Sequence, residues 1–270
     1  MSVITALSIA KTDEGLFAFE DHYSLAAAGE LSNHIPGSRI ALNASITSTA
    51  FVILSSSTFS QPTVGQSMNI VSSSANDSES GTGAQQITID YFTIPSGTTG
   101  WNKKQEVITL NGTTIVQTIN NDIYRIDRVR VNRLGSNGLS VGAITIKDTT
   151  NTLLFGQIDI GENIMLRTVH YVPKLYSCVL SDMMMSAVTN GSIIFRVFIT
   201  EEDSNGNTAT VGQLNIQLNG PDSIDRSFTL PVVVSNPNAK NISVGIAVKS
   251  GSGTQTGSAT MRFHDFLKIP

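Results

Sequence analysis

Charge is the first scarcity in this sequence. Asp, Glu, Lys and Arg together make up only 14% of 270 residues, against roughly a quarter in an ordinary globular protein. Basic residues never run longer than the pair Lys103-Lys104. With a formal net charge of −4 the chain lacks the basic stripe that would neutralise phosphates, so no nucleic-acid partner is expected. Cysteine is nearly absent. Cys178, the single one, excludes an intrachain disulfide and a Cys-rich zinc site, and within KLYSCVL it reads as a small buried hydrophobe. No apolar run approaches the roughly 18 residues that span a bilayer, so no membrane partner is expected. MSVITALSIAKTDEG has neither a basic leader nor an uninterrupted apolar core, so a secretory signal is not expected, and a product made in a cytoplasm is.

Catalytic constellations are missing as well. His22, His34, His170 and His264 are scattered, no HExxH or GxSxG occurs, and Cys178 has no histidine near it in sequence. His170 could meet Asp265 or His264 in space, as in any β-sandwich. A glycosidase pair of carboxylates usually comes with aromatic platforms, and one Trp and five Tyr are few. No catalytic, cofactor-binding or metal-binding residue is nominated, no cofactor is implied, and an enzyme is not expected.

What the chain has in abundance is short β-branched alternation punctuated by turn formers. Residues 1–65 hold no single period: strand-like Val3 to Ile9 and Ile40 to Ile46 flank EDHYSLAAAGELSNHIPGSR, whose Ala-rich middle allows about two turns of helix before Asn33 and Pro36. This segment reads either as an extended arm that packs along the main domain or a neighbouring subunit, or as an ordinary first strand pair and a loop. Residues 66–270 read as one β-sandwich domain. Ser72 to Gly83 is a Ser/Thr/Gly loop in which Asp77 and Glu79 either approach a calcium ion or cap the loop themselves; the EF-hand spacing is lacking. Gln86 to Ile94 alternates as a half-buried strand. Gln105 to Thr118 reads as a hairpin closed at Asn111-Gly112, the dipeptide that suits a type I′ turn.

Asp122 to Arg133 is a strand with four arginines. Alternation puts Arg128 and Arg130 on the face of Tyr124 and Ile126, and Arg125 and Arg133 on the opposite face with Asp127, Val129 and Val131, so no single basic stripe forms. These arginines either hold an anion or pair with carboxylates such as Asp127. GSNGLSVG, Gly135 to Gly142, lacks the lysine and helix of a P-loop and is a turn. Further strands are expected at Ala143–Lys147, Leu153–Ile160, Ile164–Val172, Lys174–Leu180, Ser192–Thr200, Val211–Leu218, Ser227–Val234, Ile242–Lys249 and Ser258–Phe266. Met183 to Met185 offers a soft contact surface or packs under the sandwich. Strands at this spacing without helices predict an all-β, antiparallel sandwich.

The blocks SSSANDSESGTGAQQITIDYF, EVITLNGTTIVQT and DIYRIDRVRVNRLGSNGLSVGAITIKD, in that order, resemble a family of tailed-bacteriophage virion structural proteins. HYVPKLYSCVL resembles a later segment of the same family, with YVPKLYSC in place of its usual Pro-Ala-Gly-Lys turn and Leu139-Ser140 where it tends to have Asn. The resemblance spans about residues 70 to 181. It implies a jelly-roll-like component of a virus particle, on head or tail. The expected role is a capsid cement or decoration protein on the head surface, assembled in the host cytoplasm. Its partners would be the major capsid protein and its own copies, as a homotrimer or other homo-oligomer. The alternative is a tail or fibre module that holds a host glycan, for which exposed aromatics such as Trp101 with Tyr91 or Tyr124 would form the site.

Overall fold

A computed structural model describes residues 9–11, 17–19, 34–47, 49–93, 101–202, 208–235 and 241–267. The possible helix before Asn33, and most of Val3 to Ile9, lie outside them. Among the described residues all regular structure is antiparallel β, in five sheets, as the turn-punctuated alternation predicts. A two-residue period alternates side chains between two faces, one of which can be buried against a second sheet.

Eight strands, all but β12 of ten or more residues, build a sandwich: β3 (His34–Ile46), β12 (Val169–Val172), β13 (Tyr176–Ala187), β14 (Ser192–Glu202), β15 (Thr208–Asn219), β16 (Asp222–Ser235), β17 (Asn241–Ser250) and β18 (Gln255–Leu267). One sheet runs β16-β13-β18-β3 and the other β12-β17-β14-β15, with β4 (Val52–Ile53) also on β17. Lettered B to I in chain order, the eight strands give B-I-D-G facing C-H-E-F, the strand order of a jelly roll. The core between the sheets contains Ala41, Ile46, Met183, Met185, Phe195, Val244, Ile246, Val248, Met261 and Phe263. At roughly 1.5–3 kcal/mol for each large side chain, this core is the main source of stability for the unit.

The first jelly-roll strand comes from the stretch whose composition suggested an arm. β3 pairs with β18 from Ile46 opposite Gln255 to His34 opposite Phe266, and Ala41 and Ile46 are buried. Residues 34–46 are thus part of the sheet. The period was hard to read because a charged residue, Arg39, occupies an inward position of the strand and is 7% exposed.

Between β3 and β12 the chain makes a second, smaller sandwich, so residues 66–270 hold two cores where one was expected. Its sheets are β11-β10-β5-β8 and β7-β6-β9, made of β5 (Asn69–Ser72), β6 (Ala84–Thr93), β7 (Asn102–Thr109), β8 (Val116–Gln117), β9 (Arg125–Leu134), β10 (Ile144–Lys147) and β11 (Leu154–Ile158). Ile70, Ile87, Ile89, Tyr91, Ile108, Val129, Ile144, Ile146 and Phe155 meet inside it. The remaining strands, β1 (Ile9–Lys11) and β2 (Phe17–Phe19), pair with each other.

The expected hairpin at Asn111-Gly112 does not form. β7 pairs with β6 and β8 pairs with β5, in different sheets, and among the described residues around the turn only Gly112 has positive φ, at 59°, whereas a type I′ turn needs two such residues. The turn docks on the Ser72–Gly83 loop instead. Gly112 N–H donates to the Asp77 carbonyl at 2.8 Å, and a Cβ at Gly112 would lie 2.9 Å from Ala75 Cα.

Candidate functional site

The acidic loop is held by its own carboxylate. Asp77, fully buried, accepts from Ser72 Oγ (2.6 Å), Ala84 N (2.8 Å), Val141 N (2.9 Å) and Gly142 N (2.7 Å). Four donors on two oxygens leave no room for a cation, and the capping role offered for this loop is the one observed. A side chain at Gly83 would collide with the same carboxylate. Glu79 contributes its backbone carbonyl to Arg133, at 3.4 Å.

Two of the four strand arginines, Arg125 and Arg128, pair with carboxylates, and Arg130 Nε has no hydrogen-bond partner. Arg125 reaches both oxygens of Glu202 at 2.8 Å and donates to the Pro62 and Tyr124 carbonyls, while Tyr124 Oη donates to Glu202 at 2.9 Å. Arg128 pairs with Asp90 at 2.9 Å. Arg128 and Ile126 do not share a face as expected, because Tyr91 aligns with Ile126 and Asp90 with Arg128, leaving Asp127 as an extra, bulged residue. A bulge re-aims one side chain and flips the phase beyond it. Consequently Ile126 and Val129 both enter the core, and Asp127 points out of the insert toward the jelly roll.

Asp127 there enters a largely buried ionic cluster drawn from five strands, with only Lys103 reaching solvent. Arg39 Nη2 of β3 lies 2.7 Å from it and Lys103 Nζ of β7 3.6 Å. His170 Nδ1 of β12 lies 3.4 Å away, and His170 Nε2 sits 2.9 Å from Asp265 of β18. His170 and Asp265, which the sequence left as a bare possibility, therefore do meet; His264 is buried on the same strand. Phe263 stacks on the imidazole at 3.8 Å between centroids, and the Arg39 guanidinium lies over the same ring.

Burial works against the imidazolium, but the carboxylates of Asp265 and Asp127 outweigh it and raise the His170 pKa. Burial likewise opposes ionised Asp127, and Arg39, His170 and Lys103 reverse this and hold its carboxyl well below the usual range. Cys178 completes the group, with Sγ, the His170 nitrogen and an Asp265 oxygen within 4.8 Å of one another. Burial and the Asp265 charge push its thiol pKa well up. A metal would require thiolate and a neutral imidazole, so the protonation states here are those of an internal ion-pair network. His170, Asp265 and Cys178 are at most 1% exposed, and no substrate reaches them.

The aromatics named for a glycan site are interior too. Trp101, Tyr91 and Tyr124 are buried. Trp101 packs edge-on against Tyr171 at 4.9 Å and tilts toward Phe92 at 5.8 Å, in a cluster with Val169, Phe198 and Ala247 that joins insert to jelly roll. Sequence reasoning missed Arg39 and Arg167, although for Arg39 a lone arginine at an inward strand position was a signal of a buried partner.

What the surface offers is a patch of exposed apolar and hydroxyl residues, with charge on its β16 side and in the neighbouring row. On the outer side of the β16-β13-β18-β3 sheet, Met184 aligns with Thr260 and Ile40, and Ser186 with Ser258 and Leu42. Ile40, Leu42 and Met184 are 44%, 45% and 49% exposed. Charge enters the Met184 row at Asp225 of the edge strand β16, and the next row at Arg262, which lies 3.7 Å from Asp182. The Met183–Met185 triplet is thereby divided: Met183 and Met185 are core, and Met184 is surface. The edge strand β15, TATVGQLNIQLN, carries no charged residue in twelve.

No protein-family model matches the chain, and no curated protein matches it. Among solved structures, it is similar to the Gx strain structure of infectious bursal disease virus, with 12% identity, 89% of this chain and 77% of that chain covered and a TM-score of 0.23. The Gt strain structure of the same virus gives 11%, 98%, 76% and 0.25. A crystal structure of its T13 viral particle gives 10%, 89%, 79% and 0.22. Likeness this slight carries no assignment.

Proposed function

We propose that the chain is a structural protein of a bacteriophage particle, a cement or decoration subunit that binds the major capsid protein, associates as a homotrimer or other homo-oligomer, and strengthens the head. The observation that carries this reading is the Ile40, Leu42 and Met184 face with its rows of Ser and Thr. A surface of apolar and hydroxyl groups adheres by burial without the desolvation cost of charges. Buried Arg39, Asp127, His170 and Asp265, in contrast, join the two sandwiches. The resemblance of residues 70 to 181 to phage virion proteins points the same way. Residues before His34 supply the arm that reaches a neighbouring subunit.

The test is a triple variant, I40D/L42D/M184D, and a deletion of residues 1–33. Each should fold as the wild type does, by circular dichroism and thermal midpoint, while losing occupancy on purified particles, and particles lacking the subunit should lose heat resistance. Undiminished occupancy of the triple variant would overturn the assignment of the face.

A further inference from the structure

A cavity of about 440 Å³ opens between the end of β3, strand β4 and the segment that leads into the insert. Its lining is dense in hydroxyl and amide groups: Asn43, Ser45, Ser55, Ser56, Ser57 and Thr58. Val52, Ile53 and Phe59 supply apolar surface. Arg167 is the one charged residue that lines it.

Arg167 is unusual in its surroundings. It is 3% exposed, yet its partners are all neutral: the Ile126 carbonyl at 3.4 Å, the Tyr171 hydroxyl at 3.2 Å, and the rings of Phe59 and Tyr171 within 6 Å. Its Nε has no hydrogen-bond partner. No carboxylate pairs with it among the described residues, although Arg125, Arg128 and Arg39 each have one. Asp127, one residue beyond the carbonyl that Arg167 contacts, is already held by Arg39, Lys103 and His170. Ser56 Oγ, also on the cavity, is buried and unpartnered.

A guanidinium this deeply buried is costly without a counter-charge, and its rigid fork matches a carboxylate. Arg167 is thus a cation without an anion, beside an open cavity with an unpartnered hydroxyl. We propose that this cavity binds a sugar acid, its carboxylate on Arg167, its hydroxyls on the Ser and Thr side chains and Ser56 Oγ, and a C–H face of the ring against Phe59, Val52 and Ile53. A volume of 440 Å³ falls in the range of about 300–1,000 Å³ usual for small-molecule sites, and the many short hydroxyl side chains fit a polyhydroxylated ligand better than an acidic peptide. The site is separate from the Ile40, Leu42 and Met184 face and holds wherever on a particle the subunit sits.

Titrating the full-length protein with sodium glucuronate, glucose and sodium acetate, read by calorimetry and by amide shifts in NMR, tests this. Glucuronate is expected to bind at least about tenfold more tightly than either comparison, since each lacks one half of the recognition, with shifts centred on residues 55–59 and 167. R167Q should lose this difference, and S56A should weaken glucuronate several-fold while the fold is kept. Should R167Q not fold, the wild-type comparison and S56A decide alone. Equal binding of glucose and glucuronate, no binding of glucuronate, or binding of a polyglutamate peptide in its place would overturn the proposal.

Discussion

The jelly roll and the inserted sandwich are both antiparallel β units with aliphatic cores, yet they are specified in different ways. In the jelly roll, strands of ten or more residues such as β13, β14, β17 and β18 alternate inward and outward for most of their length, and the alternation itself fixes the register. In the insert, β5, β8, β10 and β11 have two to five residues, and loop side chains do much of the positioning. Asp77 ties together the starts of β6 and of the segment before β10. Asp148 accepts from the N–H groups of Thr152 and Leu153 at 2.7 Å, and Glu106 from Ile119 N and the Asn120 side chain. A long strand tolerates the loss of one contact, whereas a short one held by a single carboxylate does not.

The largest expected effect falls where the two units meet. D127A would leave the Arg39 guanidinium buried without a carboxylate, while His170 keeps Asp265, and removing one partner of a buried pair costs about 3–5 kcal/mol. Hydrogen exchange should accelerate on both sides of the junction, in β9 and in β3 and β12; acceleration confined to the insert would break the view of Asp127 as a link. D77A comes next. It strands three buried N–H groups, a loss of about 2–4 kcal/mol, and here acceleration should stay within residues 72–84 and 140–146. Spread into β17 and β18 would mean that the units are not separately specified.

A pH titration of stability sharpens the same comparison at smaller amplitude. Because the His170 pKa is raised in the folded protein above its ordinary 6.5, its stabilisation is complete below that value and is lost as pH rises through the folded pKa. Asp127, depressed below its ordinary 3.8, stabilises above that value and loses the effect as pH falls through its folded pKa. The junction should be strongest between these limits. H170Q should flatten the alkaline limb of the thermal-midpoint profile, and an unchanged profile would remove His170 from the account. Smallest is G112A, at about 1–2 kcal/mol, since its backbone has φ of 59° and Ala75 is close.

The same contrast explains what could be read without coordinates. Ile242, Val244, Ile246 and Val248 alternate cleanly, and β17 lies over them; β14, β15 and β18 likewise cover the expected strands, while β13 runs on past Leu180 to Ala187 and β16 starts at Asp222, five residues before the expected Ser227. The insert resisted reading because its contacts are made through loops. Asn111-Gly112 has the composition of a hairpin, and only the docking of Gly112 on Ala75 and Asp77 shows why its two strands part. The bulge at Asp127 is silent in the sequence, so the faces of Arg128 and Ile126 were coupled wrongly. His34–Ile46 finds its partner in β18, at the other end of the described chain, and no local period announces a pairing so distant. Of the candidate surface, Met184 was legible as part of a soft triplet, while Ile40 and Leu42 became visible as its neighbours only through the register of β18.

The most direct measurement is a density map of the phage particle to which the proposed function assigns this chain. The account predicts many symmetry-related copies on the head, each with Ile40, Leu42 and Met184 buried against the major capsid protein. A few copies at the tail tip, or that face turned to solvent in every copy, would contradict it.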